Sequence, residues 1–148
     1  MEIAEHNGLV AGWLALTHIQ SNTAVKLEQA LQERHRISLK EFYMLLFLSE
    51  APGKKLRLQQ LESMVGLSQS AMSRLVSRFE AKGCGAMKRH ICEEDRRSVY
   101  TSLTPIGQKK VDEAYATFQS VLLDALPARE LAGLLQQLLE AKGHSADA

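Results

Sequence analysis

The side chains best placed to do chemistry lie between residues 66 and 97. When "GLSQSAMSRLVSRFEAKG" (66–83) is wound at about 100° per residue, Ser70, Ser73, Arg74 and Ser77 share one face, with Arg78 at its edge. Ala71, Met72, Leu75, Val76 and Phe79 fall on the other. The polar face holds small hydroxyls and arginine, and no carboxylate precedes Glu80. Small residues let a helix enter a major groove about 12 Å wide, hydroxyls reach phosphates or base edges, and arginine grips guanine O6 and N7 with two hydrogen bonds. An ordinary solvated face is the alternative. Such faces usually mix Glu and Lys, and three serines are poor helix formers unless something else uses them.

A second cluster, "EEDRRS" (93–98), sets Asp95 beside Arg96 and Arg97. It is bracketed by "AMKRHI" and "VYTSL", two short segments with β-branched or aromatic content, as the tip of a hairpin would be. Val99, Thr101 and Leu103 share a face by alternation. An arginine at such a tip can enter a narrow, electronegative minor groove, and Asp95 would hold it extended, reducing the rotamer entropy lost on binding. The plainer alternative is a surface ion pair contributing about 0 to 1 kcal/mol.

The elements that must position these residues are mostly helical. Trp13, Leu16, Ile19, Val25, Leu27 and Leu31 recur at three- and four-residue intervals with no internal proline, which predicts a long helix over residues 8–34. "SLKEFYMLLFLSEA" predicts a second, largely buried helix, with Ser38 as N-cap, Glu41 completing a capping box, and Pro52-Gly53 beyond its end. "LQQLESMV" and "QSAMSRLVSRFEAKG", separated by Gly66-Leu67-Ser68, are the two arms of a helix-turn-helix. The hairpin behind them is then a wing. Thr104-Pro105 starts another helix, with a stripe of Ile106, Val111, Ala114, Tyr115, Phe118 and Leu122. A last helix after Pro127 carries Leu131, Leu134, Leu135, Leu138 and Leu139. These stripes exceed what one small winged lobe can cover, so a self-paired helical region is expected.

The fold class is thus mainly α with a small β-hairpin wing: residues 38–103 form a winged helix-turn-helix lobe, and residues 1–37 and 104–148 a helical dimerisation region. A chain of 148 residues, 45% hydrophobic, holds one real core but not comfortably two. Its net charge of +1 is unevenly spread: Lys54 to Thr104 holds ten basic and five acidic residues, leaving eight basic and twelve acidic elsewhere. A +5 centre within −4 surroundings suits a polyanion at the middle of the chain. No run approaches the ~20 apolar residues of a membrane span, and "MEIAEHNG" is acidic, so a cytoplasmic location is expected.

In order and spacing, "GLSQSAMSRLVSRFEAKG", "DRRS" and "SLTPIG", with helices at both ends, resemble the MarR family of winged-helix transcription regulators over nearly the whole chain. The resemblance implies a homodimer, built through its terminal helices, that binds a pseudo-palindromic site on double-stranded DNA. It also implies repression relieved by a small amphipathic or phenolic ligand. The family's D-x-R wing pattern falls on Asp95 and Arg97, making Arg97 the minor-groove side chain and Arg96 a phosphate contact. The expected DNA-contacting set is Ser68, Gln69, Ser70, Ser73, Arg74, Ser77, Arg78, Lys88, Arg89, Asp95, Arg96 and Arg97. One stretch departs from the family: "GCGAMKRHI" replaces a "GL", an aliphatic residue and a basic pair. The register of the first wing strand, and the roles of Lys88, Arg89 and His90, stay open at this point.

Other chemistries are weaker. Cys84 and Cys92, if joined by extended chain, lie about 26 Å apart, too far for a disulfide. As a redox sensor Cys92 is the better candidate, at an exposed tip, which keeps open a thiol-sensing repressor. Neither a four-ligand metal site nor a cofactor motif is present, and there is no G-x-S-x-G elbow, P-loop or dinucleotide turn, so an enzyme is not expected. A winged-helix adaptor binding an acidic protein is the other alternative, and would lack the steep salt dependence of DNA binding.

Overall fold

A computed structural model of the chain describes residues 2–80, 83–91, 98–126 and 129–146. In chain order the elements are α1 (Glu2–His35), α2 (Leu39–Glu50), a 3-10 turn at Pro52–Lys54, β1 (Lys55–Arg57), α3 (Leu58–Val65), α4 (Gln69–Phe79), β2 (Met87–Ile91), β3 (Val99–Leu103), α5 (Pro105–Ala125) and α6 (Arg129–Ala146). The strands form one antiparallel sheet in the order β1-β3-β2. This is a winged helix-turn-helix with long helices at both ends, as the periodicity predicts. Two elements go beyond it: α1 begins near residue 2 rather than 8, and the wing hairpin gains β1 as a third strand.

The chain divides into two compact units, Glu28–Phe118 and the pair Met1–Leu27 with Gln119–Ala148. The divisions fall inside α1 and α5 rather than at 37/38 and 103/104. The reason is packing: Leu31 near the end of α1, and Val111 and Ala114 on α5, are buried in the same core as α2, α3 and α4.

In the unit 28–118, α2 is the central element, burying Phe42, Met44, Leu45 and Leu48. Its N-terminus forms the expected capping box: Ser38 Oγ accepts from the Glu41 N–H at 3.0 Å and Glu41 Oε1 accepts from the Ser38 N–H at 2.7 Å. Glu28 takes the Leu39 N–H, so another of the helix's orphan donors is met. Phe118 stacks on Phe42 with centroids 4.8 Å apart, and Tyr43 meets its edge. Burial raises the Tyr43 pKa above its ordinary value, so the phenol stays neutral.

Helix α3 stops at Gly66, whose φ of 79° lies in the left-handed region that costs glycine nothing. Lys40 Nζ donates to the Val65 carbonyl at 3.0 Å, placing an ammonium on the α3 C-terminus. Ser68 then caps α4. Helix α4 turns Met72, Val76 and Phe79 into the core, each contributing about 1.5–3 kcal/mol. Leu75, expected on the same face, is only half-buried at its margin.

At the far side, the start of α5 is locked onto the turn that follows α4. Thr104 Oγ1 donates to the Gly85 carbonyl at 2.6 Å and accepts from the Gly107 N–H at 3.1 Å, the cap that "TPIG" predicts. Gly107 permits the approach, since a Cβ there would lie 2.2 Å from the Ala86 carbonyl oxygen. In the other unit, Leu9, Val10, Trp13 and Leu14 on α1 and Leu134, Leu135, Leu138 and Leu139 on α6 are exposed. Among the described residues, no helix is long and apolar enough to cross a membrane.

Two glycine substitutions should therefore have opposite signs. Gly107→Ala forces an overpacked contact and should cost about 1–3 kcal/mol. Gly133→Ala, in open space within α6, should add about 0.5–1 kcal/mol by restricting the unfolded chain. Urea midpoints at constant m-value check both. The Thr101 hydroxyl, fully buried and without a hydrogen-bond partner among the described residues, predicts that Thr101→Val keeps or slightly raises the same midpoint.

Candidate nucleic-acid interface

The surface of α4 is built from its first residue outward. Ser68 Oγ accepts the Ala71 N–H at 3.2 Å, so this hydroxyl works mainly as the helix cap. Gln69 opens the helix and lines a cleft of about 90 Å³ with Arg57, Leu58, Gln59, Glu62, Ser98 and Val99. Ser70, Arg74 and Ser77 are exposed along the outer face, and Ser73 is half-buried beside them. Arg74 Nε donates to the Ser70 carbonyl at 3.3 Å, which holds the side chain along the helix and leaves its two terminal amino groups for another partner. The Ser77 hydroxyl donates to the Ser73 carbonyl at 2.9 Å. With its proton committed to the backbone, Ser77 can offer an outside partner only acceptor lone pairs.

Arg78 is different in kind. Its Nη1 lies 3.1 Å from Glu41 Oε2, whose side chain is 1% exposed, and its Nη2 donates to the Arg36 carbonyl at 3.4 Å. The first contact is an ion pair rather than a well-aligned hydrogen bond, since Glu41 Oε2 has no hydrogen-bond partner among the described residues. Arg36 itself ends α1 with φ 56°, turning its carbonyl toward this contact. The guanidinium expected at a groove therefore ties α4 to the starts of α2 and the end of α1.

The register of the first wing strand is settled by pairing: Met87 opposes Leu103, Lys88 opposes Ser102, Arg89 opposes Thr101, His90 opposes Tyr100 and Ile91 opposes Val99. Met87 and Leu103 are buried, whereas Ile91 is 66% exposed, so the ribbon leaves the core as it extends. Lys88 projects from the face opposite Met87. Arg89 shares the inward parity, and its Nε pairs with Glu80 Oε1 at 2.7 Å, joining the wing to the end of α4. Asp95, Arg96, Arg97 and Cys92 lie outside the described residues; Cys84 is a free, exposed thiol. The structure thus brings Gln69, Ser70, Ser73, Arg74 and Ser77 onto one surface, while Arg78 and Arg89 are engaged with carboxylates. Sequence reasoning passed over Arg57 and Tyr100, where Arg57 Nε donates to the phenol oxygen at 2.9 Å. The only sequence signal was a basic residue two places from Lys55.

Comparison with known proteins places this geometry. The MarR family model matches residues 37–98. A MarR family transcriptional regulator of Streptomyces coelicolor, Sco3205, solved in complex with DNA, is 20% identical, covering 91% of this chain and 85% of its own, with a TM-score of 0.76. BldR of Sulfolobus solfataricus, a transcriptional regulator, is 23% identical over 97% of this chain and 99% of its own, also at 0.76. AbsC, another Streptomyces coelicolor MarR family regulator, is 23% identical over 93% and 94%, at 0.70. At these identities the likeness is one of fold. No curated protein matches the chain.

The two arginines of α4 should separate experimentally. Arg78→Ala strands a buried carboxylate and should lower stability by about 1–3 kcal/mol, whereas Arg74→Ala should stay within about 0.5 kcal/mol of wild type. Chemical unfolding of the two variants beside wild type measures the difference.

Proposed function

We propose, because the MarR family model matches residues 37–98, the winged-helix lobe of this chain, that the protein is a MarR-type regulator: a homodimeric, sequence-specific DNA-binding repressor. The observation that carries this reading is the outer face of α4, where Gln69, Ser70, Arg74 and Ser77 present hydroxyl, amide and guanidinium groups with no carboxylate among them. In this reading α4 lies in the major groove. Arg74 has both terminal amino groups available for a guanine, and Ser77 accepts from a base amino group. The N-terminus of α4, capped by Ser68, offers backbone N–H groups to a phosphate. Lys88 and Arg96 neutralise the backbone, and Arg97, oriented by Asp95, enters the minor groove. Arg78 and Arg89, paired with Glu41 and Glu80 yet exposed themselves, hold α4 and the wing in place and stay within reach of the backbone.

Sco3205, of the same fold, is known in complex with DNA, and this supports carrying DNA binding over. Support for a homodimer comes from the helices outside the lobe. Trp13 is 68% exposed beside an apolar trough of about 650 Å³ lined by Leu9, Val10, Leu16 and Leu134. Such a surface in water favours self-association, and a two-fold dimer sets equivalent α4 helices about one DNA turn, 34–36 Å, apart. Release by a small amphipathic or phenolic ligand completes the proposal, with the cytoplasm as its place of action.

Selection of bound duplexes from a random pool tests the reading. Wild type should enrich a two-fold symmetric site, and Arg74→Ala should blur it at the guanine-bearing positions by about 1–3 kcal/mol of discrimination. The absence of enrichment, with salt-insensitive binding to an acidic protein, would favour an adaptor instead. Sedimentation at micromolar concentration should find a wild-type dimer, and Trp13→Glu with Leu138→Glu should yield monomer.

A further inference from the structure

Glu80 stands where α4 gives way to the wing, and both its carbonyl and its carboxylate are engaged on the wing side. It closes α4 in an extended conformation, with φ −71° and ψ 174°. Its carbonyl accepts the Gly83 N–H at 2.8 Å and the Gly85 N–H at 3.0 Å, so the turn leading toward β2 is folded back on it. Its carboxylate reaches further, with Oε1 2.7 Å from Nε of Arg89, the middle residue of β2. That oxygen is withdrawn from solvent and has no aligned hydrogen bond among the described residues, so the ion pair stands in for water.

Stability gives little reason for this pair. The side chains are 34% exposed for Arg89 and 29% for Glu80, where screening by water leaves an ion pair little net worth. A carboxylate at the end of a helix offered to DNA is also a liability, since it repels the phosphates that Arg74 and the serines of α4 would meet. What the pair supplies is direction. Met87 and Leu103 hold the base of the hairpin in the core, but at Ile91, 66% exposed, the ribbon has left it. Arg89 lies between, on the strand face shared with Met87, and its partner across the ladder is the buried Thr101. A contact at this point acts on a hairpin anchored below it and leaving the core above it. Asp95 and Arg97, the residues assigned to the minor groove, come further along the same chain.

We propose that Glu80 is a positioning residue for DNA recognition: acting through Arg89, it sets the angle of the wing to α4, and thereby the number of base pairs between the positions that α4 reads and those that the wing reads. The inference rests on the DNA-binding reading above and deepens it, from which groups touch DNA to what fixes their separation. Base pairs follow one another at about 3.4 Å along the axis, so a wing displaced by that much at its tip is out by one position. In this arrangement Glu80 itself touches no DNA.

Duplexes built on the selected site test it. The positions read by α4 and by the wing are assigned from the selections of Arg74→Ala and Arg97→Ala, and the spacer between them is then shortened or lengthened by one base pair. Fluorescence anisotropy at fixed salt is measured for wild type, Glu80→Gln, Arg89→Glu and the exchanged pair Glu80→Arg with Arg89→Glu. Wild type should prefer its selected spacing by roughly tenfold, the scale of one misplaced base contact. Glu80→Gln should bind that spacing several-fold more weakly and discriminate little among the three, with its melting temperature and the Arg74-dependent preference retained. The sign is diagnostic, because removing a negative charge beside a polyanion would by charge alone tighten binding. The exchanged pair should recover the spacing preference that Arg89→Glu loses. A wild type indifferent to spacing, or a Glu80→Gln that binds as tightly as wild type with its spacing preference intact, would overturn the inference and leave the regulator standing. An exchanged pair no better than Arg89→Glu would overturn it too, leaving Arg89 as a direct backbone contact. Failure of wild type to select any site would overturn both readings.

Discussion

The buried carboxylate of Glu41 is the constraint around which the lobe is arranged. A charge removed from water has to be met on every side, and this one is met by the Ser38 N–H, by the positive end of α2 and by the Arg78 guanidinium. Apolar contact between α2 and α4 is non-directional and would tolerate many crossing angles. The ion pair, with the second contact of Arg78 to the Arg36 carbonyl, admits few. It fixes the last turn of α4 against the first turn of α2 and the end of α1, and so sets the angle at which the serine and arginine face of α4 is offered outward.

Charge on and around α4 falls into two populations that composition alone does not distinguish. Arg78 and Arg89 each meet a carboxylate, and both contacts anchor the terminal turn of α4, one to α2 and one to the wing. Among the described residues, Arg74 meets only a backbone carbonyl of its own helix. The acidic partners, Glu41 and Glu80, are spent on internal pairing, which leaves the outward surface of α4 positive although the chain as a whole is nearly neutral.

Local signals carried most of the fold. The Ser38/Glu41 capping box, the Gly66-Leu67-Ser68 turn, the "VYTSL" strand and the Thr104-Pro105 helix start each depend on neighbours within four residues, and each is found where the sequence places it. What sequence could not supply depends on partners far along the chain. Lys55–Arg57 is too short to announce a strand and becomes one only by pairing with β3, more than forty residues on. Arg74 and Arg78 are four positions apart on one helix, and only the distant Glu41 separates their roles. The register of β2 was ambiguous because its basic run alternates no apolar residues, and Met87 against Leu103 resolves it. Leu75 sits on the apolar side of the wheel, yet the core ends before covering it, a matter of how far neighbouring elements reach.

The junction between β3 and α5 bears on how motion passes through the lobe. The Thr104 hydroxyl bridges the Gly85 carbonyl and the Gly107 N–H, and Gly107 brings the first turn of α5 against the Ala86 carbonyl with no room for a Cβ. A short hydroxyl held at both ends and a backbone-to-backbone approach leave few rotamers to absorb a displacement. The first turn of α5 and the Gly85-Ala86 turn are thereby joined into one block, so the base of the wing is set by where α5 begins.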